Sequence, residues 1–226
     1  HPGLLQLTVP GVRADVGIAL DGDGDRVVMV DHEGNIIDGD QLLYVVALAR
    51  QRAGELRGPV VGTVMSNLGL ELALGEAGID FRRARVGDRY VMELLRETGG
   101  VLGGETSGHI ICLDRTTTGD GLVSALQTLA IMKESGESLQ TLAAGMPRMP
   151  QHMVNVRVAS RIDLDGSATV QKAVAEVQEH LGGRGRVVLR PSGTEPVIRV
   201  MVEGEDAGEV EELARRIAAV VERSAA

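Results

Sequence analysis

Aromatic side chains are nearly missing from this sequence. Its 226 residues include no Trp, two Tyr and one Phe. Proteins that bind single-stranded nucleic acids commonly stack the bases on aromatic rings, so this scarcity argues against that function. The hydrophobic core must instead be built from Val, Leu, Ile, Ala and Met, which can still fill an interior at normal packing density.

Cysteine and long apolar runs are also scarce. The single cysteine, Cys112, excludes an internal disulfide and fits a reducing compartment. It lies in an apolar run, residues 110–113, so we expect it in the core. No apolar stretch approaches the ~18 residues needed to cross a bilayer, and the N-terminus carries no basic-then-apolar signal. We therefore predict a cytoplasmic location and no membrane partner.

The balance of charge is acidic, with a formal net charge of −9. Such a charge opposes binding to polyanions, and the sequence contains no local basic patch that would overcome it. We therefore expect no nucleic-acid partner, although a small anion can still bind locally.

The chain starts at His1, without an initiator methionine. The first element that the pattern predicts is a strand at residues 16–20, which would stand alone before an acidic loop. A lone strand leaves its hydrogen-bonding groups and one apolar face without partners. We therefore expect this chain to be the C-terminal portion of a larger protein.

The most informative motif is the acidic loop DGDGDR (residues 21–26), which has three carboxylates at alternate positions. In an extended or tightly turned segment, Asp21, Asp23 and Asp25 point the same way and repel one another unless a hard cation neutralises them. An EF-hand calcium loop needs Gly and Glu where this sequence has Arg26 and His32. Magnesium is the favoured ion, and a simple Asp-Gly hairpin turn is the alternative.

A second motif is the arginine loop RPSGTEP (residues 190–196), which joins two predicted strands and is followed by Arg199. Guanidinium groups match phosphate oxygens, hydroxyls donate hydrogen bonds, and a glycine lets backbone N–H groups converge. The pattern indicates a phosphate site. A plain surface turn is the alternative, because Ser, Gly, Thr and Pro are also common turn residues.

A third motif is the glycine-rich turn GGETSGH (residues 103–109), between two predicted strands. Its carboxylate could accept hydrogen bonds from sugar hydroxyls, and its imidazole could assist proton transfer near neutral pH. A purely structural histidine is the competing interpretation. The glycine spacing and the strand-to-strand context do not fit a dinucleotide-binding fingerprint.

A fourth motif, RVGDRY (residues 85–90), comes at the start of a predicted helix. Arg85 and Arg89 could contact an anionic substrate or pair with surface acids. Asp88 and Asp120 are each predicted to cap the N-terminus of a helix rather than to take part in chemistry.

The order of predicted elements favours two kinds of domain. Strands and helices alternate from residue 40 to residue 144, which is typical of a mixed α/β layer fold. The prolines in residues 146–150 follow a helix and precede a new strand, so we expect a domain boundary there. The remaining part has the predicted order strand, helix, strand, strand, helix, which indicates a small α+β unit.

Seven motifs in a fixed order resemble the phosphohexomutase superfamily, and within it the branch that acts on glucosamine phosphates. They are DGDGDR (21–26), VDHEGNIIDGD from Val30, TVMSNLGLE from Thr63, VGDRYV from Val86, GGETSGH (103–109), TGDG from Thr118 and RPSGTEP (190–196). These motifs span almost the whole chain. Each is modest alone, whereas the ordered set is highly specific.

This resemblance implies an α/β fold class with three parts. They are the end of one mixed α/β phosphohexomutase domain with the metal loop (1–38), a complete mixed α/β domain with the sugar loop (39–148), and a small C-terminal α+β domain with the phosphate loop (149–226). The implied enzyme is an intramolecular phosphotransferase of the isomerase class. It would interconvert glucosamine 6-phosphate and glucosamine 1-phosphate through a bisphosphate intermediate, and so feed UDP-N-acetylglucosamine and cell-wall synthesis. The implied cofactor is Mg²⁺.

The resemblance also assigns roles to residues. By similarity, Asp21, Asp23 and Asp25 hold the metal, while Arg26 and His109 lie near the reacting centre as catalytic candidates. The residues expected to bind the substrate are Glu105 and Ser107, at the sugar hydroxyls, and Arg190, Ser192, Gly193, Thr194 and Arg199, at the non-reacting phosphate.

The sequence departs from the family pattern at three points. None of its serines is followed by His-Asn, the context of the family's phosphoryl-carrying serine. We therefore expect that serine on N-terminal domains of the same enzyme, and no turnover from this chain alone. Thr106 replaces the usual Gln, and Arg85 stands where Lys is common, which makes fine specificity less secure. The alternatives are a phosphomannomutase/phosphoglucomutase and a non-enzymatic sugar-phosphate-binding module.

Overall fold

A computed structural model describes residues 2–158, 163–164, 166–192 and 195–225. The chain divides into two compact units, the first unit His1–Pro147 and the second unit Arg148–Ala226. The finer division of the chain into three domains stays a prediction.

The described part of the first unit is a mixed α/β structure. Its helices are α1 (Gly3–Val12), α2 (Gly39–Arg52), α3 (Leu68–Glu76), α4 (Asp88–Thr98), α5 (Gly121–Ser135) and α6 (Leu139–Ala143). Its strands are β1 (Val16–Leu20), β2 (Val27–Asp31), β3 (Ile36–Ile37), β4 (Val60–Thr63), β5 (Phe81–Ala84), β6 (Leu102–Gly104) and β7 (Ile110–Cys112). They form an antiparallel sheet of order β1-β2-β3 and a mixed sheet of order β5-β4-β6-β7.

The expectation that the first strand stands alone was wrong. β1 pairs with β2 along its whole length, from Val16 opposite Asp31 to Leu20 opposite Val27. The two strands form an antiparallel hairpin because both are short apolar runs separated by a glycine-containing turn. The acidic loop is the connection of this hairpin.

The first helix, α1, was not predicted. It contains Pro10, its N-cap residue Pro2 makes no side-chain cap, and it buries Val9 while exposing Leu4 and Leu7. A proline inside a helix and a missing cap remove the usual signals of a helix. The sequence pattern therefore gave no reason to place one here.

Of the two helix caps predicted for the first unit, one is confirmed and one was wrong. The Asp120 side chain accepts a hydrogen bond from the Val123 N–H at 2.9 Å, which confirms the predicted cap of α5. Asp88 was predicted to cap α4, but it lies in the first turn, and the N-cap residue is Gly87. Cys112 is buried in the core, as expected.

The described part of the second unit is a small α+β structure, as the element order predicted. Its elements are β8 (Gln151–Arg157), α7 (Ala168–Leu181), a short 3₁₀ helix (Gly182–Arg184), β9 (Arg186–Pro191), β10 (Val197–Glu203) and α8 (Ala207–Ala225). The strands form an antiparallel sheet of order β8-β10-β9. Its core is aliphatic and includes Val170, Val177, Val200 and Ile217.

Helices of membrane-spanning length and hydropathy are not found in the part of the chain that the structure describes.

Candidate functional site

The acidic loop gathers three carboxylates at the end of the β1–β2 hairpin. One oxygen from each of Asp21, Asp23 and Asp25 can be chosen so that the three atoms lie within 4.8 Å of one another. Gly24 has a φ of +75°, a conformation that glycine adopts without a steric penalty, and its N–H donates to the Asp21 carbonyl at 3.3 Å. This local turn helps to gather the three carboxylates, and the Gly121 N–H also donates to the Gly24 carbonyl at 3.0 Å.

The pKa values of Asp25 and Asp21 in this cluster are shifted in opposite directions. Desolvation raises the pKa of Asp25, and the charges of Asp23 and Asp21 raise it further. Desolvation also opposes ionisation of Asp21, but hydrogen bonds outweigh it and lower the Asp21 pKa, the largest being from the Arg26 backbone N–H at 3.2 Å. The buried Oδ1 of Asp25 accepts no hydrogen bond from any described residue. Three close carboxylates with an unpartnered oxygen form a donor set that suits a hard cation.

The glycine-rich turn lies directly against this loop. The Val27 N–H donates to the Gly108 carbonyl at 3.1 Å. The His109 side chain is buried, its Nε2 lies 3.5 Å from Asp25 Oδ2, and its Nδ1 has no hydrogen-bond partner among the described residues. The structure therefore brings the predicted histidine to the predicted metal cluster.

Arg26, the other catalytic candidate, lies at the rim of the cluster. Its Nε is 3.9 Å from Asp21 Oδ2 and 4.0 Å from Asp25 Oδ1, and 52% of its side chain is exposed. Ser107 is exposed and, together with Asp21 and Arg26, lines an open cavity of about 300 Å³. A larger cavity, of about 800 Å³, lies elsewhere in the first unit and contains none of the predicted site residues.

Glu105 connects the glycine-rich turn to the start of α4. Its Oε1 accepts a hydrogen bond from the Gly87 N–H at 3.0 Å. Beside this contact, the guanidinium carbons of Arg85 and Arg89 lie 3.9 Å and 4.7 Å from the centre of the Tyr90 ring. The predicted alternatives for these arginines were an anionic substrate or surface acids. The structure shows both arginines stacked on Tyr90, and Arg89 Nη2 also donates a hydrogen bond to the Tyr90 hydroxyl at 2.8 Å.

In the second unit, Arg190 and Arg199 stand directly opposite each other on β9 and β10. Opposite residues of an antiparallel pair lie side by side on one face, where like charges repel. Desolvation lowers the pKa of Arg190, and the Arg199 charge lowers it further. The buried Nε atoms of both arginines lack a hydrogen-bond partner among the described residues. The exposed Glu195, 3.4 Å from Arg199, is a weak counter-charge.

The rest of the arginine loop is only partly described. The Ser192 hydroxyl accepts a hydrogen bond from the Glu195 N–H at 3.3 Å, and the Ser192 N–H donates to the Val197 carbonyl at 2.9 Å. Gly193 and Thr194 lie outside the described residues. Their predicted contribution to a phosphate site therefore stays a prediction.

Sequence reasoning missed one buried residue beside the glycine-rich turn. Asp40 was not among the predicted site residues, yet its Oδ2 accepts a hydrogen bond from the Thr106 hydroxyl at 2.7 Å. Asp40 lies in one of the seven ordered motifs, so its position in that motif was the available signal.

The two units define an α/β protein with two contrasting charged sites, one built from carboxylates and one from guanidinium groups. Residues 38–149 match the profile of the phosphoglucomutase/phosphomannomutase alpha/beta/alpha domain III, and residues 153–220 match that of the phosphoglucomutase/phosphomannomutase C-terminal domain. Together these matches cover most of the chain. The chain therefore belongs to the phosphoglucomutase/phosphomannomutase family, which confirms the resemblance seen in the motifs.

Two curated relatives are similar to this chain over almost its whole length. The phosphoglucosamine mutase of Methylococcus capsulatus is 61% identical over 223 residues, which are 99% of this chain and 50% of that protein. The phosphoglucosamine mutase of Hahella chejuensis is 56% identical over 224 residues, again 99% of this chain and 50% of that protein. The chain thus spans about half the length of these relatives.

A solved structure agrees in fold. It is that of Aspergillus fumigatus N-acetylphosphoglucosamine mutase in complex with GlcNAc-6P and magnesium. Its TM-score is 0.78 at 21% identity, and the match covers 97% of this chain and 52% of that one. This likeness confirms the predicted α/β fold class.

Proposed function

We propose that this chain is the C-terminal half of a phosphoglucosamine mutase, an isomerase that interconverts glucosamine 6-phosphate and glucosamine 1-phosphate through a bisphosphate. The observation that carries the proposal is the 61% identity, over nearly the whole chain, to a protein of that name. The proposed partners are N-terminal domains of the same enzyme, which would carry the phosphoserine, and the proposed location is the cytoplasm.

Asp21, Asp23 and Asp25 are the proposed Mg²⁺ ligands. Their clustered oxygens, and the buried Oδ1 of Asp25 that accepts no hydrogen bond from the described residues, support this assignment. When bound, Mg²⁺ would offset negative charge on the phosphoryl group that is transferred.

The first-unit residues around the cluster are proposed to orient the sugar and its reacting end. The Arg26 guanidinium, which is half exposed, can pair with the anionic phosphoryl oxygens. The His109 imidazole lies beside Asp25 and can hold or release a proton at Nε2. Glu105 and Ser107 can exchange hydrogen bonds with sugar hydroxyls.

The second-unit residues are proposed to hold the phosphate that does not react. Two opposed guanidinium groups leave a local excess of positive charge that a phosphate dianion would neutralise. Because the sugar must bind in two opposite orientations, a fixed grip on the distal phosphate positions either end for the same chemistry. The proposed ligands are Arg190, Ser192, Gly193, Thr194 and Arg199.

A chimeric enzyme tests this function. The N-terminal half of the Methylococcus relative would be fused to this chain, and glucosamine 1-phosphate formation would be followed with Mg²⁺ and the bisphosphate. We expect turnover by the chimera and none by the 226-residue chain alone. The intact relative, assembled in the same way from its own two halves, is the positive control. A folded chimera that turned over mannose or glucose phosphates but not glucosamine phosphates would contradict the proposal.

Asp23→Asn is expected to abolish the response of the chain to magnesium. Without Mg²⁺ the variant should be at least as stable as the original, because it relieves repulsion within the carboxylate cluster. Millimolar Mg²⁺ should raise the Tm of the original chain, since a ligand that binds only the folded state stabilises it, and should leave the variant unchanged. The matched control is Glu97→Gln, which removes one exposed charge on α4. An equal Mg²⁺ response in all three proteins would refute the metal assignment.

A further inference from the structure

Asp40 is a buried acid that joins three separate segments of the first unit. Its side chain belongs to the first turn of α2 and is fully buried. One oxygen, Oδ2, accepts hydrogen bonds from the Thr106 hydroxyl at 2.7 Å and from the Asn67 N–H, at the start of α3, at 2.8 Å. The other oxygen, Oδ1, has no partner among the described residues. Burying a carboxyl costs free energy unless hydrogen bonds compensate for the lost hydration, and these two bonds also tie the three segments together.

Gly39, the residue before Asp40, also contacts Thr106 of the glycine-rich turn. The Gly39 N–H donates to the Thr106 carbonyl at 3.1 Å. A Cβ on Gly39 would lie 2.1 Å from the Glu105 carbonyl oxygen and 2.6 Å from the Gly108 nitrogen, so only glycine allows this approach. Thr106 is therefore held twice, through its carbonyl by residue 39 and through its hydroxyl by residue 40.

This double contact gives Thr106 a structural role in this chain. Thr106 lies between Glu105 and Ser107, whose side chains are the proposed hydroxyl-binding groups. Since the central residue of the three is fixed, its two neighbours can present their side chains in one constant direction. Such preorganisation limits the ordering that binding must otherwise impose.

We propose that Asp40 is a positioning residue for the glycine-rich turn: by holding the Thr106 hydroxyl, it fixes the direction in which Glu105 and Ser107 meet the sugar. The proposed function supplies the identity of the ligand. The placement of the turn is independent of it and can be tested without any ligand.

The protonation of Asp40 supplies a reporter for this test. The pKa of Asp40 is raised to about 6, chiefly because the carboxyl is buried and in smaller part because of the Asp38 charge at the same helix start, while hydrogen bonds from Asn67, Thr106 and Ser66 act in the opposite direction. If the carboxyl holds the turn, the amide signals of residues 105–108 should shift with pH around that value, and Asp40→Asn should remove the shift.

The main experiment compares two variants of the 226-residue chain by NMR. Thr106→Val removes the hydroxyl and keeps the shape of the side chain, whereas Thr106→Ser keeps the hydroxyl. We expect Thr106→Val to speed amide exchange in residues 105–108 by about tenfold, as the loss of one hydrogen bond implies, while exchange in the β4 core is unchanged. Thr106→Ser should stay within about twofold of the original chain, since it retains that hydrogen bond.

In the chimera, the two Thr106 variants distinguish an effect on the position of the turn from an effect on protein stability. Thr106→Val should raise KM for glucosamine 6-phosphate with little change in kcat. Thr106→Ser should leave KM close to that of the unsubstituted chimera. The proposal is overturned if the two Thr106 variants exchange alike, or if Asp40→Asn lowers stability throughout the first unit while the turn signals still titrate. An inactive chimera whose turn behaves as expected would contradict the proposed function and leave the role of Asp40 intact.

Discussion

Arg199→Ala is expected to weaken the binding of inorganic phosphate to the second unit by at least about tenfold, since a hydrogen bond to a charged group contributes roughly 1.5–3 kcal/mol. Arg199 and Arg190 are opposed across two strands, and their buried Nε atoms have no partner among the described residues. The free protein therefore holds like charges together, and an anion would relieve their repulsion. Titration of the 226-residue chain with phosphate, followed through its second-unit NMR signals, measures the change.

Two control variants separate charge from geometry in this experiment. Arg215→Ala removes an exposed guanidinium that pairs with Glu211 on α8, so it should change phosphate affinity by less than twofold, as a surface charge does. Arg199→Lys keeps the charge but loses the planar fork, and we expect an intermediate affinity. The second-unit phosphate site is refuted if Arg199→Ala and Arg215→Ala bind phosphate equally well. Arg199→Ala should also leave the unit folded, because it removes a repulsive pair.

Gly108→Ala is expected to destabilise the first unit by about 3 kcal/mol or more, as backbone strain and a steric clash act together. Gly108 has a φ of +92°, which side chains rarely adopt. A Cβ there would also lie 2.0 Å from the Val27 carbonyl oxygen, at the point where the glycine-rich turn meets the β1–β2 hairpin. Urea denaturation followed at first-unit residues gives the loss in the free energy of unfolding.

Gly136→Ala is the matched control for that change. Gly136 also has a positive φ, +72°, but no described atom lies within 4 Å of where its Cβ would be. Gly136→Ala should therefore lower the free energy of unfolding through backbone strain alone, by about 1–2 kcal/mol. A loss no larger in Gly108→Ala than in Gly136→Ala would mean that the contact between turn and hairpin is dispensable.

Much of the fold could be predicted because its elements follow simple patterns. The strand at β1 was placed at its observed bounds, and the alternation that predicted an α/β unit matches the sheet around β4. Helix α1 was not predicted because Pro10 and an uncapped start remove the usual sequence signals of a helix. The β1–β2 pairing was offered only as the alternative of an Asp-Gly hairpin turn, because pairing is a relation between segments and periodicity within one segment does not reveal it.

The candidate site was predictable where its residues are contiguous. Three aspartates at alternate positions in one hairpin loop can be read directly from the sequence. Asp40 could not be found in this way, because its importance comes from Thr106, 66 residues further along the chain. The stacking of two arginines on Tyr90 likewise depends on side-chain directions that spacing alone does not fix.

The opposed arginines of the second unit have a consequence for how such a site can vary. Their separation is set by the backbone ladder between β9 and β10, which places Arg190 and Arg199 at facing rungs. Side chains of the intervening loop can therefore be exchanged while the two cationic groups keep their spacing, provided that the register between β9 and β10 is preserved. Ligand preference can then diverge without loss of the two guanidinium groups.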